Sequence, residues 1–384
     1  MGLRKLRPLA LSLLLTAPAG AVEGAGRPVN HITQVKVTPA SFLPSLGEKI
    51  QITAALTTGG RLRAEVLDRD GFVVRTLASD KTVAKGPVAL TWDGRDDSGN
   101  VVPDEAYSFR LDLKTGKTRS LYFPANQNVD MYEVPPAYYS RADAALVYEL
   151  PKASRVHLQA GQAALDPATG KTVGPVLKTI VNRGPRPAGR VLDHWNGRDE
   201  TGTVLVSELP HFVVSIACWP LPENSVIATG NRDVRFLDHA ISRKGTSRIT
   251  TRPGHGHHHE GLTTVEDYSP AATVLVRNGT RTGENGCWQV AGSSASLAVG
   301  VTGPTAQVFR RQPAHVLVYE GVRRIGQYPG HPAGVDAVID LGGPLTARRT
   351  FAVNWASDLG PTAPGVFCLE PRVIAAVSEE RGQS

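Results

Sequence analysis

Short runs in which apolar and polar residues alternate, broken by clusters of glycine, proline, aspartate and asparagine, make up most of this chain. Leu62-Arg63-Ala64-Glu65-Val66 places apolar residues on one side and charges on the other. Tyr107-Ser108-Phe109-Arg110-Leu111-Asp112-Leu113 repeats that period of two. Such alternation predicts half-buried β-strands, because successive side chains of a strand point to opposite faces. Further strands are predicted at Glu48–Leu56, Phe72–Leu77, Val88–Trp92, Ala144–Leu150, Ser154–Leu158 and Phe212–Cys218. Beyond residue 223 they are predicted at Ser225–Ala228, Ala272–Val276, His315–Tyr319, Val335–Leu341, Thr350–Trp355 and Val366–Leu369. Asp70-Gly71 joins two of these runs as a hairpin turn, whose central positions favour residues that tolerate positive φ. Periodicity of the helical kind is hard to find after the N-terminal segment. The predicted class is all-β, with tandem Ig-like or fibronectin-like β-sandwich domains.

One stretch occurs twice. Trp92-Asp93-Gly94-Arg95-Asp96-Asp97-Ser98-Gly99-Asn100-Val101-Val102 returns as Trp195-Asn196-Gly197-Arg198-Asp199-Glu200-Thr201-Gly202-Thr203-Val204-Leu205. The flanking strands recur as well, which makes this a duplicated module. A spacing near 100 residues is too long for a solenoid repeat and implies tandem domains. The strand Ser154–Leu158 repeats the Leu62 strand at one offset, 94, with Val156 in the place of Leu62, while the tryptophan motif sets another, 103. The extra residues are expected around Asp166–Gly170 and Asn182–Gly189, in loops that a duplicated fold tolerates.

The order of features in the first module is specific: Leu67-Asp68, Asp70-Gly71, Val74-Arg75-Thr76-Leu77, Trp92 to Pro103, then Tyr107. It resembles the Ig-like domain of flagellar hook-capping (FlgD-type) proteins, a domain that recurs in secreted bacterial proteins without a flagellar role. The second module resembles it less closely, with Asn196 in place of the motif's aspartate and a different spacing after Leu205. The resemblance implies a sandwich fold and no particular activity.

The N-terminus reads as a secretory signal. Arg4, Lys5 and Arg7 precede the apolar run Leu9–Thr16, and Ala19-Gly20-Ala21 supplies small residues for cleavage before Val22. Of the formal net charge of +7, those three basic residues contribute three, leaving +4 for residues 22–384. The remaining basic residues are scattered, so no nucleic acid partner and no anionic membrane surface is indicated. No later run is apolar and long enough for a transmembrane helix. The expected location is secreted or periplasmic.

Domain by domain, the chain is read as a signal peptide (1–21), a flexible lead-in (22–34) and a first Ig-like domain of hook-capping type (35–120). A linker (121–140) leads to a second such domain (141–222). A β-rich region with a His-rich loop (223–302), a third Ig-like domain (303–376) and a disordered tail (377–384) complete the order.

Candidate chemistry is sparse. Asp93, Asp96, Asp97 and Asn100 offer oxygens of the kind calcium takes, but their spacing is not that of an EF-hand. The reading preferred from sequence is a turn held by side-chain bonds to backbone N–H groups, with Trp92 and Trp195 filling each core. The candidate metal residues are His255, His257, His258 and His259, in the run Gly254–Glu260. Imidazoles in that density suit zinc or copper, although the flanking glycines favour a surface loop and no H-E-x-x-H spacing is present. No cofactor is otherwise expected. Cys218, Cys287 and Cys368 are read preferentially as buried thiols, with one disulfide and one leftover thiol as the alternative. No nucleophile elbow, phosphate loop or dinucleotide fingerprint is present. The expectation is a non-enzymatic structural or binding protein of the bacterial envelope, with a protein or cell-surface partner. The alternatives are metal binding through the histidine loop, or service as an accessory module of an envelope enzyme or adhesion complex.

Overall fold

A computed structural model describes residues 30–126, 131–134, 136–236, 238–239, 271–281, 286–302, 314–331, 333–357 and 362–372. Its architecture is three β-sandwiches in tandem. The segment expected to be a signal peptide, the candidate histidines and the segment expected to be a disordered tail lie outside the described residues. Among the described residues no helix is long and apolar enough to cross a membrane.

The first sandwich contains β1 (Ile32–Thr38), β2 (Ser41–Phe42), β3 (Ile50–Leu56), β4 (Gly60–Leu67), β5 (Val73–Val83), β6 (Gly86–Trp92), β7 (Glu105–Thr115) and β8 (Thr118–Tyr122). One sheet runs β1-β3-β6, and β4, β5 and β7 form the body of the other. The alternation read in the sequence sets this packing. Ile50, Ile52, Leu62, Val66, Phe109 and Leu111 all point inward and are almost wholly buried. Glu65 departs from the expected charged outer face, being only 2% exposed. Arg63 and Arg110 fold over it from either side, each 2.7 Å from a carboxylate oxygen. Burial by itself raises the Glu65 pKa, but the two arginine bonds outweigh it and hold the carboxyl below its ordinary value.

The second sandwich repeats the scheme with β9 (Tyr138–Ser140), β10 (Ala145–Leu150), β11 (Ser154–Gln162), β12 (Ala164–Leu165), β13 (Thr172–Val173), β14 (Val176–Arg186), β15 (Gly189–His194) and β16 (Phe212–Pro220). Its sheets run β9-β10-β15 and β14-β11-β16, so β10, β11, β14, β15 and β16 stand where β3, β4, β5, β6 and β7 stand in the first. Val176 already follows Val73 by 103 residues, whereas Ser154 follows Gly60 by 94. All nine added residues therefore fall between β11 and β14, where they form the β12–β13 hairpin. None falls near Asn182–Gly189, which continues the regular pairing.

The region after residue 222 departs from the expected boundaries. Residues 223–302 do not form one unit. β17 (Val226–Ala228) returns to the first sandwich, parallel to β2 and antiparallel to β7 at Glu105–Tyr107. The third sandwich takes β18 (Ala271–Val276), β19 (Gly279–Arg281), β20 (Trp288–Val290), β21 (Ser294–Thr302), β22 (Ala314–Glu320), β23 (Arg323–Pro329), β24 (Val335–Asp340), β25 (Arg349–Ser357) and β26 (Thr362–Pro371). It thus begins near Ala271, well before the expected 303. One sheet runs β18-β21-β24, the other β19-β20-β26-β25-β22-β23. β21 escaped sequence reading because serine, alanine and glycine fill much of it, although Ala295, Leu297, Val299 and Val301 are its buried face. The first sandwich likewise begins inside the expected lead-in, since Ile32 is buried.

Cys287 and Cys368 are joined by a disulfide across 81 residues, tying the start of β20 to β26. This corrects the preferred reading of three thiols. The two cysteines meet because β20 pairs in parallel with β26, a register that sequence spacing does not reveal. Cys218 is free and buried, in the core of the second sandwich.

Candidate functional site

The repeated tryptophan motif is the most distinctive local structure. Trp92 packs against Phe42, Tyr107 and Phe109, and its indole N–H donates to the Arg95 carbonyl at 2.9 Å. Asp93 accepts the Arg95 amide at 3.1 Å, and Asp96 accepts the Ser98 and Asn100 amides at 2.9 Å each. Asp97 reaches across to the Thr76 amide at 3.0 Å. The carboxylates that suggested calcium thus serve the turn, as the structural reading of the motif requires. Gly94 sits at φ +72, and a Cβ there would collide with Pro44 and Phe42. The second copy is built alike. Trp195 donates to Arg198 O at 2.7 Å, Asn196 accepts the Arg198 amide at 3.0 Å, and Gly197 has φ +78. Asn196 keeps the bond that Asp93 makes in the first copy, because only one side-chain oxygen is used.

Among the described residues no group of three or more histidine, cysteine or acidic side chains converges as metal ligands would. His255, His257, His258 and His259 are outside those residues. A compact titratable cluster lies in the second sandwich, where Tyr148 donates to Asp193 at 2.6 Å and Arg186 clamps the same carboxylate at 2.5 and 3.0 Å. Burial, then the Asp193 charge, pushes the Tyr148 phenol far above its ordinary value. The cluster is a closed network, with each charge answered by its neighbour. Burial also raises the Cys218 thiol to about 11, which removes it as a nucleophile near neutrality.

The sandwiches meet through buried, hydrogen-bonded contacts. Glu105, 2% exposed at the start of β7, accepts Arg155 of β11 at 2.6 Å and Arg69 at 3.4 Å. Arg155 also donates to the Arg183 carbonyl. Past the second sandwich, the chain lies back over the first. Ile227 N donates to Ala40 O, Thr229 N to Phe42 O, and Asn231 bonds Asp104, Val101 and Val102. In the helical turn that follows, His239 Nε2 stands 3.3 Å from Asp96 Oδ2, and Arg69 lies over the Phe236 ring. At the other junction the outer face of the third sandwich supplies Ala352, Val366 and Tyr319 to the hydrophobic cluster of the second. Asn354, 4% exposed, grips β14 there like a strand partner, accepting Val176 N at 3.2 Å and donating to Val176 O at 2.7 Å. Sequence reasoning missed these residues, since a glutamate or asparagine in a strand carries no mark of what lies across a domain boundary.

Residues 46–117 match the family model of the FlgD Ig-like domain. This match covers the core of the first sandwich and leaves out β1, β2, β8 and β17. No curated protein matches the chain. Among solved structures, a tetra-tandem repeat from the extending region of a large adhesion protein is 12% identical, with 90% of this chain and 75% of that one covered and a TM-score of 0.19. A structure concerned with host cell surface retention of a 1.5-MDa bacterial ice-binding adhesin is 9% identical, covering 90% and 100%, with a TM-score of 0.17. Dimeric latent PorU from Porphyromonas gingivalis is 9% identical over 90% and 34%, also with a TM-score of 0.17. Superpositions at this level say nothing of function.

Proposed function

We propose that this chain is a secreted or periplasmic, non-enzymatic spacer and binding protein of the bacterial envelope. Its first two sandwiches would be tandem copies of the hook-capping type of Ig-like domain. The observation that carries this reading is the pair of buried junctions. A flexible string of domains has exposed, polar linkers. Here Glu105 with Arg155, β17 and Asn354 instead fix each sandwich to the next with bonded, desolvated groups. The closed Tyr148–Asp193–Arg186 network and the turn-bound aspartates support a role without catalysis. The Cys287–Cys368 disulfide supports an oxidising compartment.

Small-angle X-ray scattering of the purified chain tests the spacer. A single arrangement of the three sandwiches should fit the profile. A profile that demands a broad ensemble of inter-sandwich angles would remove the reading. The alternative, metal handling, is read by zinc and copper titration of the chain against a variant with His255, His257, His258 and His259 all replaced by alanine.

A further inference from the structure

The nine residues that the second sandwich has gained over the first build one wall of a cleft. The β12–β13 hairpin stands beside the turn between β22 and β23 of the third sandwich, and together they enclose about 720 Å³. That volume is in the range of ligand sites, which favour domain boundaries. Leu165, Val173, Tyr319 and Val322 give the cleft an apolar lining, and Arg323 and Arg324 stand beside them. Leu165, 68% exposed, and Val173, 39% exposed, present apolar surface to the cleft side by side on the hairpin.

The electrostatics of the cleft are one-sided. Asp166, its acidic lining residue, is occupied within its own turn, taking the Ala168 amide at 2.9 Å and the Thr169 hydroxyl at 2.8 Å. Glu320 is gripped by Arg349 through bonds of 2.6 and 2.7 Å and stands 3.8 Å from Arg323. Among the described residues Arg324 pairs with no carboxylate. Strand pairing passes from Val318–Gly326 to Tyr319–Arg324, leaving Ile325 as an extra residue on β23. Such a bulge interrupts the alternation of faces and re-aims side chains. Arg323 and Arg324 lie just beyond the bulge, at the turn between β22 and β23, and both line the cleft.

Building on the binding role above, we propose that this cleft receives an extended acidic segment of a partner protein. Carboxylates of the segment would meet Arg323 and Arg324, and its alternate apolar side chains would lie on Leu165, Val173, Tyr319 and Val322. Arginine forks suit carboxylates, and an extended strand presents the two kinds of side chain on opposite sides. The apolar half of the lining favours a peptide over an acidic polysaccharide, which has no aliphatic side chains to place there.

The test is fluorescence anisotropy with a labelled octapeptide of alternating glutamate and valine, titrated with the full chain. Saturable binding with Kd below about 100 μM is expected. It should weaken at least tenfold in the double variant Arg323→Glu/Arg324→Glu, and similarly when glutamine replaces glutamate in the peptide. Leu165→Ser should weaken it about threefold or more. All three side chains are exposed, so thermal melts of the variants should match the parent. Absence of saturation by about 1 mM, equal affinity in the charge-reversed variant, or tighter binding of polygalacturonate than of the peptide would overturn the proposal. Scattering of the unliganded chain separates this from the spacer reading: a rigid profile without peptide binding removes the cleft alone.

Discussion

Val226 belongs to the first sandwich although it lies more than a hundred residues beyond the end of that domain's family match. It is fully buried in the cluster with Phe42, Ile50, Trp92 and Tyr107. Val226→Ala removes two methyl groups from that cluster. At about 0.8 kcal/mol for each buried methylene-sized group, the transfer loss is about 1.6 kcal/mol. The void left behind adds roughly 1 kcal/mol at about 24 cal/mol per Å³. A total of about 2 to 3 kcal/mol corresponds to a 30- to 140-fold rise in the open population, at tenfold per 1.4 kcal/mol. Hydrogen–deuterium exchange read by mass spectrometry resolves where the change occurs. Peptides covering Ile50–Leu56 and Glu105–Thr115 should exchange faster by that factor, while those covering Arg349–Ser357 keep their protection. Loss of protection confined to residues around Val226 itself would refute the argument, because β17 would then be an ornament on a domain already complete.

Three other outcomes are expected. Arg155→Ala leaves Glu105 buried with the Ala106 amide at 2.6 Å and, as its cationic partner, only the longer Arg69 contact. It should cost about 2 to 3 kcal/mol, somewhat less than a wholly orphaned buried charge, and loosen the first junction, as read by urea melts and by scattering. The Glu65 and Glu320 carboxyls are both held below their ordinary value of 4.5. Their folded-state pKa is depressed, so the stabilisation is full above 4.5 and is lost as pH falls through the lower folded value. Urea midpoints from pH 6 to 3 should show this fall, and Arg110→Gln should be weaker at pH 6 and flatter in acid; parallel curves would contradict it. Replacing Cys287 and Cys368 by serine opens a loop of 81 residues, and the chain-entropy account sets an upper loss of about 4.5 kcal/mol in the third sandwich, measurable by calorimetry.

Much of the fold was legible in the sequence for a physical reason. Where a strand has one wet face, as at Leu62–Val66 or Tyr107–Leu113, alternation records the burial of each side chain. The tryptophan turn was legible because glycine at positive φ and aspartate beside free amides leave a compositional trace. β17 was recognised as a strand, but its destination was not, since three buried residues fit either sheet edge equally well. The junctions were opaque for the same reason. Asn354 and Glu105 look like surface residues until the neighbouring sandwich is placed against them. The added length in the second module was read correctly as nine residues, yet its position was spread over two loops. Only the strand register shows that it all lies in the β12–β13 hairpin.

The route of the chain from the first sandwich to the second and back has a consequence for its biogenesis. A ribosome delivers residues from N- to C-terminus, so β8 ends at Tyr122 long before β17 begins at Val226. At roughly 5 to 20 residues per second, the interval is about 5 to 20 s. During it the edge of β7 at Glu105–Tyr107 waits without its neighbour, and all the strands from β9 to β16 emerge before the first sandwich can close. The domain made first is therefore complete only after every strand of the next has followed it out.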